Sequence, residues 1–560
     1  MDVRFYTKAL LLLVFVFGLN PLFLNRLTEI GFQAGALVFL FVWIASIVAI
    51  MVVAFQRPSI LKFIISILLA TSGVMSASYY TVTLQYMEIY QLEVMLNATD
   101  NLVDALSAFN GLFWCFLIGV IGFIGLLLPS KFSLKRNATL TLAPSFIIVS
   151  MIVIIIMARE GEGSKGMPSQ YTVASYLVIL TAESLLNAGP AIPPLVSADP
   201  YNQVDSGDII FVMDESMRGD YFDFNSTSGV PTGVEQYNPV NFGVASSAAN
   251  CSDPSNVSMR FGVSRNNYLE DLKIKPSIWQ FAKKAGFNTV YVDAQHAIGS
   301  FGNHMAEFEA NFIDDFLQIS DADVDLFNKD AQAAKIIRKK LNNGIKDFIY
   351  VNKIGAHFPF EGKYPSGTGI YSPVMPPSGF LRSYHEVDEV EYPISGDELT
   401  RLKFVNSYKN TLGWNFKSFF NTLFDMPIIQ PYTLIYTSDH GQTFHDDGRE
   451  GYGTHCSFVT TDPEEGRVPL LLFSNIKAVQ KKMKVAASLN FNKVSHFNLP
   501  ATVYNLMGYN EDDLNNYDPS LYKPLNKEGQ KFLSKYYVRF GAKPIWNSIY
   551  SASGEALSSN

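Results

Sequence analysis

Up to residue 158 the chain is dominated by long apolar runs almost free of charge, at 9–24, 35–55, 63–83, 109–128 and 142–157. A bilayer span takes about 20 such residues, so the pattern predicts a five-helix N-terminal transmembrane bundle. The first run is short and follows Arg4 and Lys8, as a signal peptide would. No small-residue cleavage site follows it, and it reads as a retained helix. Beyond residue 207 the rhythm changes. Short apolar runs at 209–213, 289–292, 347–353, 433–436 and 469–473 alternate with helical patterns such as 277–285, which ends at Gly286. Strands alternating with helices predict an α/β domain with a largely parallel central sheet covered on both faces. Between these regimes, 159–206 opens on a Gly/Glu-rich joint, continues through an expected amphipathic helix at 171–186, and turns at Gly189-Pro190. That composition suits a tether lying against the membrane. The expected organisation is a transmembrane domain at 1–158, a linker at 159–206 and a catalytic domain at 207–560.

Charge then orients the spans. Arg4 and Lys8 precede the first, Arg57 and Lys62 separate the second and third, and Lys131, Lys135 and Arg136 separate the fourth and fifth. The alternate loops carry Arg26 with Glu29, then Glu88, Glu93, Asp100 and Asp104. The excess of Lys and Arg predicts a cytoplasmic N-terminus and places everything after Met157 on the far side. The external loop at 84–108 is long for a simple connection, and its 95–100 stretch suits either a short surface helix or a solvated loop. At 560 residues the chain exceeds a single core. Its net charge of −8 and pI near 5.6 leave no electrostatic footprint for nucleic acid. Three cysteines make no disulfide scaffold, and one of them, Cys115, lies inside an apolar run.

The candidate chemistry sits at strand ends. Leu434-Ile435-Tyr436-Thr437 delivers Ser438-Asp439-His440-Gly441, an adjacent carboxylate and imidazole suited to Zn²⁺ or a similar ion. The run at 209–213 leads into Asp214-Glu215-Ser216, the run at 347–353 into Gly355-Ala356-His357, and Gly453-Thr454-His455 precedes the last apolar run. Carboxyl ends of parallel strands are where open α/β sheets gather ligands. Each of these histidines, taken singly, is more readily a structural residue of the core. A nucleophile would come from 250–258, Asn-Cys-Ser-Asp-Pro-Ser-Asn-Val-Ser, where a serine at a helix N-terminus gains from the dipole that also favours a phosphate. The residues alone leave Ser252, Ser255 and Ser258 as equal alternatives.

Taken together, these segments resemble the membrane-bound phosphoethanolamine transferases of Gram-negative bacteria, a branch of the alkaline phosphatase/sulfatase superfamily. The likeness covers most of the chain. Glu215-Ser216-Met217-Arg218 is similar to the family's Glu-Ser/Thr-x-Arg, and Cys251, Ser255 and Ser258 to its Cys-x-x-x-Thr-x-x-Ser. Gly355-Ala356-His357-Phe358-Pro359, Ser438-Asp439-His440-Gly441, Gly453-Thr454-His455 and Ser495-His496-Phe497-Asn498 resemble later motifs in the same order. The resemblance implies an alkaline-phosphatase-like catalytic domain in which Glu215, Ser255, Asp439 and His440 bind catalytic zinc. It implies that His357 and His455 assist catalysis, holding substrate phosphate or a second zinc, and that Ser258 and the external Asn97 and Thr99 help bind substrate. His455 follows the Gly-Thr pair where the family's histidine precedes it, which makes His445 a competing ligand. The family's local disulfide partner falls at Phe261, which leaves Cys251 and Cys456 either paired with each other or both free.

The activity so implied is transfer of phosphoethanolamine from phosphatidylethanolamine to lipid A or another envelope glycan, with Ser255 as the nucleophile that carries a covalent phosphoethanolamine-serine intermediate. The expected setting is a monomer in the bacterial inner membrane, with its catalytic domain in the periplasm. A phosphoglycerol transferase shares the five helices and metal site, and His357-Phe358-Pro359-Phe360 leans that way. A sulfatase-like hydrolase is a further alternative, although Ser252-Asp253-Pro254-Ser255-Asn256 lacks the arginine of a Cys/Ser-x-Pro-x-Arg segment. A membrane sensor that keeps the fold without catalysis is the rival from another class.

Overall fold

The computed structural model describes residues 3–83, 86–89, 91–93, 111–135, 137–159, 165–186, 194–201, 207–296, 298–320, 324–358, 360, 362–375, 398–445, 454–457, 461–535, 540 and 543–550. Asn97 and Thr99 lie outside the described residues. The chain divides into two compact units, one built chiefly on Met1–Pro190 and the other chiefly on Ala191–Leu381 and Pro393–Tyr536.

In the first unit the described helices are α1 (Val3–Gly18), α2 (Phe23–Ile30), α3 (Ala34–Phe55), α4 (Ile60–Thr83), α5 (Gly111–Leu127), α6 (Ala138–Ala158) and α7 (Ser169–Leu186). Apolar helices stand at all five expected places. By length and composition three can cross a bilayer, or four when α1 and α2, bent by 56°, count as one, while α5 is apolar but shorter. The bend falls at Asn20-Pro21, where proline excludes a continuing helical hydrogen bond. Asn20 holds the break by donating to the Val16 carbonyl and accepting from the Ser169 amide.

Helix α7 is the stretch expected to be an amphipathic tether, and it packs into this unit instead. Its first two turns are buried, and Tyr171, Val173, Tyr176 and Ile179 join the bundle core. Its polar start, the Ser169 carbonyl and the Gln170 side chain, is bonded to neighbouring helices. Ser72 donates to the Ser169 carbonyl at 2.6 Å, Gln170 donates to the Phe15 carbonyl, and Asn20 donates to the Gln170 side chain. In a bundle without water such pairs satisfy groups that would otherwise be orphaned.

The second unit is an α/β fold around a seven-stranded sheet ordered β2-β7-β6-β1-β5-β3-β4. The strands are β1 (Asp208–Asp214), β2 (Val240–Ser246), β3 (Asn288–Asp293), β4 (Asp315–Gln318), β5 (Asp347–Asn352), β6 (Tyr432–Ser438) and β7 (Arg467–Ser474). Only β7 runs against the rest. Strand β1 is buried along its whole length, which explains its unbroken apolar sequence. Register shows which face each side chain takes, because paired residues share a face and successive ones alternate. Tyr350 aligns with Tyr291, and both meet Trp279 of α9 (Ile278–Lys284), which follows α8 (Ser252–Phe261) in the chain. Tyr436 lies on the other face, under Phe416 and Phe420 of α10 (Glu398–Leu423). Strand β1 sits between β5 and β6, so its carboxyl end opens where the strand order reverses, the usual site of ligands in such sheets.

Candidate metal and nucleophile site

Three strand ends meet at that point. Asp214 ends β1, and the Asp439 amide donates to its carbonyl, placing Asp439 just beyond β6 and beside Glu215. The Ser216 amide donates to Asp439 Oδ1 at 3.0 Å, and the Met217 amide to Ser438 Oγ at 2.8 Å, fastening the two strand ends together. Two glycines permit the approach. Any Cβ at Gly355 would lie 2.4 Å from Asp214 Oδ1, and one at Gly441 would lie 2.2 Å from the Glu464 carbonyl.

Glu215, Asp439 and His440 converge in this corner with one ligand atom each, all within 4.8 Å of one another and all buried. His440 Nδ1 donates to the Gly441 carbonyl at 2.7 Å, which fixes the tautomer and turns Nε2 toward Glu215 Oε1 at 3.4 Å and Asp439 Oδ2 at 3.6 Å. Burial and the nearby Glu215 charge push Asp439 well above the usual carboxylate range. Burial opposes ionisation of Glu215 too, but His440 outweighs it through hydrogen bond and charge and holds this carboxyl well below its ordinary value. Asp439 Oδ2 is buried with no hydrogen-bond partner among the described residues. Two carboxylates, an imidazole and an orphaned oxygen aimed at one point are a donor set for a divalent cation, and they fit Zn²⁺.

The nucleophile segment resolves differently from the resemblance. Ser252 is the first residue of α8, with Cys251 as N-cap. Its Oγ donates to Glu215 Oε2 at 3.1 Å and lies 3.3 Å from His440 Nε2. Ser255 does not reach the cluster. Its Oγ donates to the Ala249 carbonyl and accepts from the Ala249 amide, each at 3.0 Å, locking the loop before the helix. Ser258 Oγ is turned back onto the Pro254 carbonyl. Helix phase is the reason: three residues fall about 60° short of a full turn and about 4.5 Å further along the axis, so each later serine rotates into the core.

The histidines separate as well. His455 stacks on His440 with ring centroids 4.4 Å apart, and His357 stands 6.3 Å from His455. Burial and the His440 charge hold His455 well below the ordinary histidine range, so it stands neutral. His455 is delivered by its neighbour, because Cys251 and Cys456 form a disulfide that joins the Ser252 turn to the His455 turn. The Cys456 amide also donates to the Asn250 carbonyl, and the Asn250 side chain to the Ser457 carbonyl and to Glu465. His445 is buried outside the converging trio. His496 is structural: Nδ1 accepts from the Ala248 amide, so Nε2–H donates to Thr437 Oγ1. Arg218 points away, its guanidinium bound to Asp220.

Two supporting residues escaped the sequence reading. Gln295, just past β3, donates to Glu215 Oε2 at 2.9 Å and to the Lys353 carbonyl at 2.7 Å, orienting the ligand carboxylate. Lys353, fully buried, pairs with Asp214 and lies 3.4 Å from Asp330, which receives the Ile354 and Gly355 amides leading toward His357. Their signal was position alone, since Gln295 follows the predicted run at 289–292 and Lys353 ends the one at 347–353.

The fold has counterparts among solved structures. The integral membrane lipooligosaccharide phosphoethanolamine transferase A from Neisseria meningitidis superposes with a TM-score of 0.66 at 15% identity, over 94% of this chain and 97% of that one. The C-terminal periplasmic domain of EcEptC from Escherichia coli in complex with zinc gives 0.48 at 17% identity, over 64% of this chain and 97% of that one. No curated protein matches the sequence. The Sulfatase family model matches residues 208–509, more than half of the chain, and spans the strands that bring Glu215, Ser252, Asp439 and His440 together. The chain therefore belongs to the Sulfatase family.

Proposed function

We propose that the chain is a membrane-anchored phosphotransferase that moves phosphoethanolamine from phosphatidylethanolamine to a lipid A or related envelope-glycan acceptor, with Ser252 as nucleophile. The observation that carries this reading is the Ser252 hydroxyl, set at a helix N-terminus within hydrogen-bond reach of both Glu215 and His440. The near-complete fold overlap with a lipooligosaccharide phosphoethanolamine transferase supports the substrate class. The apolar N-terminal helices support a site working on lipids in the plane they occupy. In this reading five spans, with α5 among them, put the N-terminus in the cytoplasm and the catalytic unit in the periplasm, and the chain works as a monomer in the inner membrane.

Glu215, Asp439 and His440 would hold zinc, with Ser252 beside them. Bound there, the ion lowers the pKa of a neighbouring hydroxyl and offsets phosphoryl charge. Ser252 Oγ attacks the donor phosphorus, and the bond from phosphorus to the diacylglycerol oxygen breaks. The serine proton ends on that oxygen, releasing diacylglycerol and leaving phosphoethanolamine on Ser252. The amides at the start of α8 face the phosphoryl oxygens as a dipole end does any anion. His455, neutral and stacked on His440, and His357 at the rim are placed to hold the acceptor or take its proton in the second transfer. The test is intact-protein mass after incubation with phosphatidylethanolamine. A phosphoethanolamine adduct should form on the wild type and on Ser255→Ala and vanish in Ser252→Ala. An adduct that survives in Ser252→Ala moves the nucleophile elsewhere, and an adduct formed only with phosphatidylglycerol replaces the donor.

A further inference from the structure

Beside the metal corner stands a carboxylate–imidazole pair that the proposed reaction does not use. Asp293 ends β3 and is fully buried, while His296 follows it on a turn and is partly exposed. His296 Nδ1 lies 3.0 Å from Asp293 Oδ2 and 3.2 Å from Oδ1. The carboxylate accepts, so Nδ1 carries the proton and Nε2 is the nitrogen left to face a ligand. Asp293 is held in turn by the Asn352 side chain at 3.1 Å and by the Gln295 amide at 2.9 Å, which fixes the direction of the ring. Burial opposes a charge on His296, but the hydrogen bond and charge of Asp293 outweigh it and raise this histidine above its ordinary value.

The turn is fastened to the surroundings of Ser252 on both sides of His296. On one side Gln295 donates to Glu215 Oε2, the oxygen that also receives Ser252 Oγ. On the other, His304 Nε2 lies 3.2 Å from Asp253 Oδ2, one residue past Ser252 on α8. Asn303 and His304 take left-handed conformations at φ +53° and +50°, and the Asn303 carbonyl accepts from the buried Arg260 at 2.9 Å. Such backbone persists only where its surroundings enforce it. Gly302 lies between, and an added Cβ there would be 2.0 Å from His296 Nε2 and Cε1, so the imidazole rests directly on the backbone. His296 is thus bracketed by contacts to Glu215 and Asp253, the two carboxylates beside Ser252, and the charges of both reach it. His357 and His455, by contrast, stand with His440.

We propose that His296, oriented by Asp293, is a catalytic acid and base for the oxygen that leaves phosphorus and for the one that replaces it. The inference rests on the proposed function in taking Ser252 as nucleophile and diacylglycerol as leaving group. In the first transfer the bond from Ser252 Oγ to phosphorus forms, and the bond to the glycerol oxygen breaks with its electron pair on that oxygen. His296 Nε2 supplies the proton this oxygen needs, and the serine proton goes to water. In the second transfer the neutral Nε2 takes the proton of the acceptor hydroxyl as its oxygen bonds phosphorus. The bond to Ser252 Oγ then breaks, and a proton from water restores the serine.

The test compares two donors on the full-length protein in detergent, with the rate of adduct formation read by intact mass. One is phosphatidylethanolamine. The other is the same lipid with sulfur in place of the oxygen joining phosphorus to the diacylglycerol, whose thiolate departs without a proton. His296→Gln should slow the oxygen donor by on the order of a hundredfold and the sulfur donor by less than about threefold. Asp293→Asn should show the same dependence on donor with a smaller factor. A merely structural pair would slow both donors alike, and a misfolded fraction lowers the amount of adduct without changing its rate. Equal slowing of both donors, or an oxygen-donor rate that His296→Gln leaves unchanged, overturns this inference alone. A wild type that forms no adduct from either donor overturns the proposed function itself.

Discussion

Replacing Cys251 and Cys456 together by serine tests whether the disulfide is what assembles the far wall of the site. The bond closes a loop of 205 residues, the longest-range covalent constraint in the described chain. In the chain-entropy account a loop of that length removes about 18 cal/mol/K from the unfolded state, or about 5 kcal/mol at room temperature. With an unfolding entropy of about 2.1 cal/mol/K per residue across the second unit, the loss corresponds to a fall in Tm of roughly 7 °C. A second consequence is local. Cys456 sits at φ +57°, a left-handed conformation that a non-glycine residue adopts only when its surroundings hold it there. Once the bond is removed, that turn relaxes, and His455 loses its stack on His440. Adduct formation on Ser252 should then slow by on the order of tenfold or more, as catalytic groups displaced by an ångström do. Thermal unfolding of the full-length protein and the time course of intact mass read the two effects separately. A Tm shift below about 2 °C with an unchanged adduct rate would refute the reasoning.

Ser255→Ala should leave adduct formation intact while costing about 1–3 kcal/mol for the Ala249 amide it orphans, the Ala249 carbonyl keeping its bond from Ser247, measured by denaturant unfolding. Lys353→Met should destabilise by about 3–5 kcal/mol, because it strands Asp214 and Asp330 as buried carboxylates; adding Asp330→Asn should recover part of that loss. His496 is pushed down by burial to about 3, so its unfolded form takes up a proton that the folded form refuses. Its contribution is complete above the unfolded value and is lost as pH falls from about 6.5 toward 3. Between pH 8 and pH 5 the wild type should lose about 2 kcal/mol more stability than His496→Gln, and equal losses would sink the assignment.

The parts of the site legible in the sequence are those fixed by backbone period alone. Asp439, His440 and Glu215 follow apolar runs, and a parallel sheet sends every such run to the same edge, so their meeting could be read before any contact was known. Ser252 could not be read that way. Three serines spaced by three residues fall on successive flanks of one helix, and which flank faces the metal corner depends on how the Asn250–Cys251 turn is pinned. That turn is held by a disulfide from 205 residues away and by Glu465 from 215, and local pattern carries no trace of either. The motif likeness pointed to Ser255 because it counts residues from the cysteine, whereas the geometry depends on helix phase. Helix α7 misled for a related reason. Gln170 looks like part of a wet face, yet a helix among other apolar helices uses such a residue to bond its neighbours, here Phe15 and Asn20.

This contrast bears on how the active corner is kept in register. Its ligands ride on strands whose positions are set by continuous backbone pairing, with β1 and β6 aligned residue for residue up to Asp214 and Ser438. Its proposed nucleophile Ser252 and His455 ride on turns joined to each other through Cys251–Cys456 and the Asn250 contacts, and held to the rest of the unit by hydrogen bonds to Leu533, Thr443 and Glu465. Ser252 and His455 are therefore expected to move together. A perturbation on this side should shift both relative to a fixed metal corner, and one at β1 or β6 should disturb metal retention first. Comparing zinc content with adduct rate across Cys456→Ser and Lys353→Met separates the two halves. The cysteine variant should keep its metal and lose rate, and the lysine variant should lose both. If the cysteine variant sheds its metal as readily as the lysine one, the corner is a single mechanical unit and the division into two halves is wrong.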